Sequence, residues 1–224
     1  MRLVAFGCSN TFGQALPDVW DEKLSKPIDF ELGPSKFAWP QILANKLNIE
    51  CINLGYTGVS NKEIWWNIIN YDFQKTDIVI IFWSWFDRTC IIEKDNVTRI
   101  GNWEQKHKIF FTTYHNEFDQ RIQFFLYCNH VHHLLHNKVK LLKYYTNMDP
   151  FSLYSIKKYI GFDFINRYIK VLTNDPLEHF GKAGLLYDKK AMDNVHSGLE
   201  AHEAFATAIY NEMKDEIAKK FNRK

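Results

Sequence analysis

The sequence has no CxxC pair, no excess of one charge, no internal repeat and no long apolar run. Its four cysteines, Cys8, Cys51, Cys90 and Cys128, stand far apart. That spacing excludes a zinc ribbon or a disulfide framework and predicts reduced thiols. A net charge of +2 over 224 residues gives no electrostatic footprint for nucleic acid or for an anionic membrane surface. No stretch approaches the ~20 apolar residues needed to span a bilayer. The opening MRLVAFG reaches a polar turn too early for a secretory leader, which predicts a cytoplasmic protein.

What is present is the balance of a globular domain: 46% hydrophobic, 24% charged and 16% aromatic residues. The length suits one domain better than two, and no linker divides it, so residues 1–224 are expected to form a single unit. Arg2–Phe6 reads as a buried first strand. A loop with Pro17, Pro27 and Pro34 precedes a helix beginning near Trp39-Pro40, with Ile42, Leu43 and Leu47 at helical spacing. Glu50–Leu54 reads as a second strand. Ser60 and Glu63 are spaced as a capping box for a helix that should turn Ile64, Trp65, Ile68 and Ile69 inward. Ile78–Trp83 is an unbroken apolar run, as in a central strand covered on both faces. Phe118 to His136 should be helical, with Phe124, Cys128, Val131 and Leu135 on one side. Val139–Tyr145 is a fourth strand, and Leu199–Phe221 a final helix with Leu199, Phe205, Ile209, Met213 and Ile217 on one face. Residues 14–36 and 92–116 look like surface insertions, the latter a hairpin or excursion, and 150–185 are mixed and partly helical. Strands alternating with helices predict an α/β sandwich on a mostly parallel sheet of about five strands.

Such a sheet carries its site at the carboxyl ends of its strands. Ser9 lies just beyond the first strand, Gly58 beyond the second and Ser84–Arg88 beyond the third. A serine hydroxyl becomes a nucleophile when a histidine takes its proton, and the histidine needs a carboxylate to orient it. Near the other end of the chain "AMDNVHSGLEAH" offers Asp193 and His196, three residues apart, so one loop could deliver base and orienter together. Gly7 allows a sharp turn before Ser9, and Gly58 could bring a backbone N–H to a substrate oxygen. Taken singly, each has an ordinary explanation: Gly-x-Ser after a strand is a common turn, Asp193 is a normal residue before a helix, and Ser60-Asn61 is a normal cap.

Together these blocks resemble the SGNH, or GDSL-type, hydrolase superfamily. "FGCSNTFG" is similar to the family's first block, with Ser9 as nucleophile. "NLGYTG", Asn53 to Gly58, is similar to the second, and Asp193-x-x-His196 to the last. The resemblance implies a three-layer, flavodoxin-like α/β/α sandwich and an oxyanion hole that uses the backbone N–H groups of Ser9 and Gly58. Two departures stand out. Cys8 replaces the usual Asp, and the third block, which normally supplies an Asn side chain to the oxyanion, reads "FWSWFDRT". Ser84 or Arg88 is left there as the replacement donor. Losing one such donor lowers the rate on the order of a hundred- to a thousandfold.

The sequence therefore predicts a serine esterase with the triad Ser9, His196 and Asp193, with Gly58, Ser84 and Arg88 serving oxyanion or substrate, and needing no cofactor. Its expected substrate is a small-molecule or carbohydrate ester, since Trp20, Trp39, Trp83, Trp85 and Trp103 include candidates for stacking on a sugar ring, although core packing accounts for most of them. An inactive domain of the same fold, used for glycan binding or assembly, is the alternative. Cys8 as nucleophile is disfavoured because strand alternation turns it away from Ser9. His132 and His136, with Cys128 one turn earlier, have helical spacing for a metal. The absence of a glutamate between the histidines, and the place of Cys128 in the apolar stripe, argue for an ordinary helix face, so no metal site is expected.

Overall fold

Strand alternation divides the core of this protein into two layers. The computed structural model describes residues 1–24, 26–28, 32–94, 96–146, 169–171 and 190–221, the side chains of 169–171, 215 and 217–221 apart. The strands are β1 (Arg2–Gly7), β2 (Trp20–Asp21), β3 (Lys26–Pro27), β4 (Glu50–Asn53), β5 (Ile78–Trp83), β6 (Arg88–Ile92), β7 (Val97–Gly101), β8 (Leu141–Thr146) and β9 (Ile169–Val171). The helices are α1 (Ser9–Phe12), α2 (Trp39–Leu47), α3 (Asn61–Ile69), α4 (Lys108–Thr113), α5 (Glu117–Leu135) and α6 (Leu199–Phe221).

The main sheet runs β4-β1-β5-β8-β9, parallel throughout, and β2/β3 and β6/β7 form separate antiparallel ribbons. One set of alternating residues, Val4, Phe6, Val79, Ile81 and Trp83, packs with α3 and α5. The other set, Leu3, Ala5, Ile78, Ile80 and Phe82, packs with α2 and α6. Every residue of β5 is buried, which is why its sequence shows no polar alternation. The result is a three-layer sandwich with the flavodoxin-like strand order, and its topological switch point falls at the carboxyl ends of β1 and β5.

At the amino ends of these two strands, the Arg2 guanidinium donates two hydrogen bonds to the fully buried Asp77, at 3.0 and 2.9 Å, and ties β1 to β5. No helix among the described residues is long and apolar enough to cross a membrane. All four cysteines are free thiols.

The elements differ from the sequence expectation at a few points. β8 begins at Leu141, two residues later than expected, because Lys138 and Val139 N–H groups still bond to the Leu135 carbonyl at the end of α5. Ser60 Oγ accepts from the Glu63 N–H at 3.3 Å, but the Glu63 carboxylate turns away from the cap to Arg99, so only half of the capping box forms. Trp65 and Ile69 are half-buried, the inner face of α3 being Ile64 and Ile68. Leu199 is 46% exposed at the first turn of α6, whereas Phe205, Ile209 and Met213 are buried. Residues 150–185 lie outside the described residues, except for β9, as does the side chain of Ile217.

Helices α2 and α6 are joined by a histidine. His202 is buried, and its Nδ1 accepts the Trp39 N–H at 3.0 Å. Burial, with a smaller contribution from nearby His196, pushes its pKa down to about 3. Above pH ~6.5 His202 is neutral in both the folded and the unfolded chain and contributes no pH dependence. Below that, the unfolded chain takes up a proton that the folded chain excludes. Stability is therefore lost as pH falls toward 3, by about 1.4 kcal/mol per pH unit. Between pH 7 and pH 5 the wild type should lose roughly 2 kcal/mol more than His202→Asn, whose amide oxygen can accept the same N–H. Urea denaturation at the two pH values measures the difference.

Candidate active site

The turn that carries Ser9 is built by backbone packing. β1 ends at Gly7, where a Cβ would lie 2.1 Å from Thr11 Oγ1. Cys8, extended at φ −92°, caps the single turn α1, and its side chain packs in the core. Ser9 follows as the first helical residue, and Gly13 closes the turn in the left-handed region at φ 81°. The turn after β4 is held against this one by Asn53. Its Nδ2 donates to the Thr11 carbonyl at 2.7 Å, and its Oδ1 accepts the Gly55 N–H at 2.9 Å. Gly55 lies so close that a Cβ there would sit 2.7 Å from the Phe12 nitrogen. Gly58, at φ 70°, completes the second turn.

Asp193 and His196 arrive on the loop before α6. That loop is closed by the Ala191 N–H to the His196 carbonyl at 2.9 Å and by a bridge between Lys190 and Ser197. The Met192 N–H donates to the Ala15 carbonyl at 3.0 Å and so docks the loop onto the segment that follows α1. Ala15 (φ 64°) and Asn194 (φ 57°) both occupy the left-handed region, an arrangement that costs a non-glycine residue about 1–3 kcal/mol and is held here by these contacts.

His196 Nδ1 lies 2.5 Å from Asp193 Oδ2, and Asp193 Oδ1 accepts the N–H groups of Val195 and His196 at 2.9 Å each. Burial alone would raise the Asp193 pKa. The N–H donors and the imidazole outweigh burial and hold it below the ordinary carboxylate range, so the orienting group is ionised.

Ser9 and His196 line one cleft of about 590 Å³, together with Gly58, Arg88, Arg99 and Trp103. Ser9 is 8% exposed. No hydrogen bond joins its hydroxyl to His196 among the described residues, an arrangement common in unliganded sites, where such contacts tighten only around substrate.

Of the sequence-predicted set, Ser9, His196, Gly58 and Arg88 meet at this cleft, and Asp193 stands behind His196. Ser84 does not join them. It is fully buried, and the amide of Asn61 clamps its backbone, accepting the Ser84 N–H at 2.7 Å and donating to its carbonyl at 2.9 Å. Asn61 is thus more than a helix cap.

The hairpin expected within 92–116 begins earlier, at Arg88 inside the third block. In its register Arg88 faces Gly101 and Cys90 faces Arg99, which makes Arg88 and Arg99 diagonal neighbours on one side of the ribbon. Arg99 and the Gly101–Trp103 pair were not legible in advance. The available signal was a short β-branched run ending in glycine, "VTRIG", but nothing local ties it to the Ser9 turn.

The tryptophans divide as packing dictates. Trp39 and Trp83 are in the core, Trp20 and Trp85 are half-buried, and Trp103 is 52% exposed at the cleft. His130 accepts the Trp65 indole N–H at 3.0 Å, and the His132 and His136 rings stack 4.9 Å apart. Among the described residues no group of three or more His, Cys, Asp or Glu side chains is gathered for a metal.

No protein-family model and no curated protein matches the sequence. Solved structures do match the fold. LAE5, an α/β hydrolase from the metagenome of Lake Arreo, Spain, aligns with a TM-score of 0.55 at 16% identity, over 95% of this chain and 94% of its own. A lipase/acylhydrolase from Enterococcus faecalis aligns at 0.52 and 13%, over 96% of each chain. An acetyl xylan esterase, Est2A, from the rumen bacterium Butyrivibrio proteoclasticus aligns at 0.52 and 12%, over 97% of this chain but 64% of its own length. This chain thus spans less than two-thirds of that esterase. It has the fold of the SGNH/GDSL-type hydrolases.

The backbone contact at Gly55 gives a direct test of the site's architecture. Gly55→Ala must push α1 away from the second turn, and overpacking of this kind costs about 1–3 kcal/mol. The unfolding free energy from urea denaturation should fall by that amount, through a lower midpoint at unchanged slope.

Proposed function

We propose that the chain is a serine hydrolase acting on an ester. The observation that carries the reading is the 2.5 Å contact between Asp193 and His196 on a loop whose histidine shares a cleft with Ser9. In this reading residues 1–224 are one hydrolase unit, with 14–36 and 92–116 as surface additions.

His196 Nε2 takes the Ser9 proton as Oγ attacks the ester carbonyl carbon. The N–H groups of Ser9 and Gly58 receive the negative oxygen of the tetrahedral intermediate. As the carbon–oxygen bond breaks, His196 gives its proton to the departing alcohol. Water then repeats the sequence on the acyl-serine and releases the acid. Asp193, ionised and doubly anchored by backbone N–H groups, holds the imidazole in the tautomer that leaves Nε2 free to accept. No cofactor enters. With Ser84 buried and absent from the cleft lining, the hole has two backbone donors and Arg88 serves the substrate. The acetyl xylan esterase that shares the fold makes an O-acetylated carbohydrate the first substrate to try.

The clamped Ser84 favours a second reading, in which the cleft binds an ester or glycan without turning it over. Intact-mass spectrometry after exposure to a fluorophosphonate separates the two. The hydrolase reading predicts one adduct on wild type and none on Ser9→Ala. Absence of an adduct on folded wild-type protein would give the second reading the lead.

A further inference from the structure

The β6–β7 hairpin brings two guanidinium groups to the cleft that holds Ser9 and His196, and both are held in the same way. Arg88 lies over the Trp103 ring at 4.8 Å and donates from Nε to Asp87 at 3.1 Å. Arg99 lies over the Tyr56 ring at 4.3 Å and donates from Nε and Nη2 to the buried Glu63, at distances between 2.6 and 3.1 Å.

Gly101 stands opposite Arg88 in the hairpin, and a Cβ at Gly101 would lie 2.2 Å from the Trp103 ring. The missing side chain is what lets the indole fold back beneath the guanidinium.

In each arginine the stack and the Nε bond fix the plane, while terminal N–H groups are left without an acceptor. Neither Nη of Arg88 has a hydrogen-bond partner among the described residues, and Arg99, bonded to Glu63 and to the Tyr56 side chain, has more N–H groups than these acceptors engage. The Arg88 side chain is 11% exposed and that of Arg99 34%, and both line the cleft. Of the described residues lining that cleft, Glu104 carries a carboxylate, which is drawn off to Lys106 at 2.8 Å. Guanidinium forks with fixed planes and unused N–H groups match the oxygens of a carboxylate or phosphate.

We infer that Arg88 and Arg99 form a receptor for an anionic group, a carboxylate or phosphate, carried by the molecule that Ser9 attacks. As a statement about substrate it rests on the hydrolase reading; as a statement about binding it does not. A substrate with such a group is anchored at the hairpin while its ester lies toward Ser9 and Gly58.

The test uses the full-length Ser9→Ala protein, which binds without turnover. Glutarate and inorganic phosphate are titrated separately at low ionic strength, following the arginine Nε–H and tryptophan indole N–H resonances by NMR. At least one should saturate, and the one that does identifies the oxygen geometry. Its dissociation constant should rise at least tenfold in Arg88→Met. The same rise is expected in Glu63→Gln/Arg99→Met, a pair chosen because removing Arg99 alone would strand the buried Glu63 carboxylate. A dispersed amide spectrum confirms that each variant is folded. Failure of both anions to bind, or binding that survives both substitutions, overturns the receptor. Anion binding by a protein that no fluorophosphonate labels would overturn the hydrolase reading and leave the receptor standing. Labelling without anion binding would do the reverse.

Discussion

The Asn53 amide carries more of this architecture than its size suggests. It bonds the Thr11 carbonyl on one side and the Gly55 N–H on the other, joining the turn after β1 to the turn after β4 at backbone distance. The close approach is open only to glycine at positions 7 and 55, where a Cβ would meet atoms at 2.1 and 2.7 Å. With those turns fixed, the position of Ser9 follows, and so does the space into which the Asp193–His196 loop docks through Met192 and Ala15. The chain's first and last quarters therefore meet through main-chain contacts, which can hold a reactive geometry more firmly than long side chains.

The sheet supplies the platform. Because alternate residues of β1 and β5 enter different layers, both faces are sealed, and Ser9 stands at the rim where the strands end. The fold's switch point opens a cleft there, and the β6–β7 hairpin furnishes one of its walls. That hairpin is tied to the body by the Arg99–Glu63 pair and by Asn61, which fixes Ser84. The segment that follows β5 leads directly into this hairpin, and its Ser84 backbone is held by the Asn61 amide.

The parts of this account legible in the sequence were those with a local signature. β5 was plain from its unbroken apolar run, α3 from its cap, α6 from the spacing of Phe205, Ile209 and Met213, and the contact between Asp193 and His196 from their standing three apart. What was hidden depends on partners far away in the chain. Ser84 looked like a donor because nothing near it announces the Asn61 clamp 23 residues earlier. Glu63 looked like a capping residue because Arg99, which claims it, is 36 residues away. Leu199 fitted the buried stripe of α6 by periodicity, but it occupies the first turn, where the helix has not yet reached the sheet. Arg99 gave no sign of a site because a hairpin's register is set by tertiary pairing, and Trp103 stood out only as one of five candidate tryptophans with nothing local to mark it as the one at the cleft.

The central claim is that Ser9, His196 and Asp193 act as one unit. Residues that act together lose their effect together, so their substitutions do not add. The most direct measurement is kcat/KM for p-nitrophenyl acetate in Ser9→Ala, His196→Ala and the double variant. The account predicts that each single substitution removes nearly all activity and that the double variant is no worse than either. Independent, multiplying losses, or full activity in His196→Ala, would contradict it.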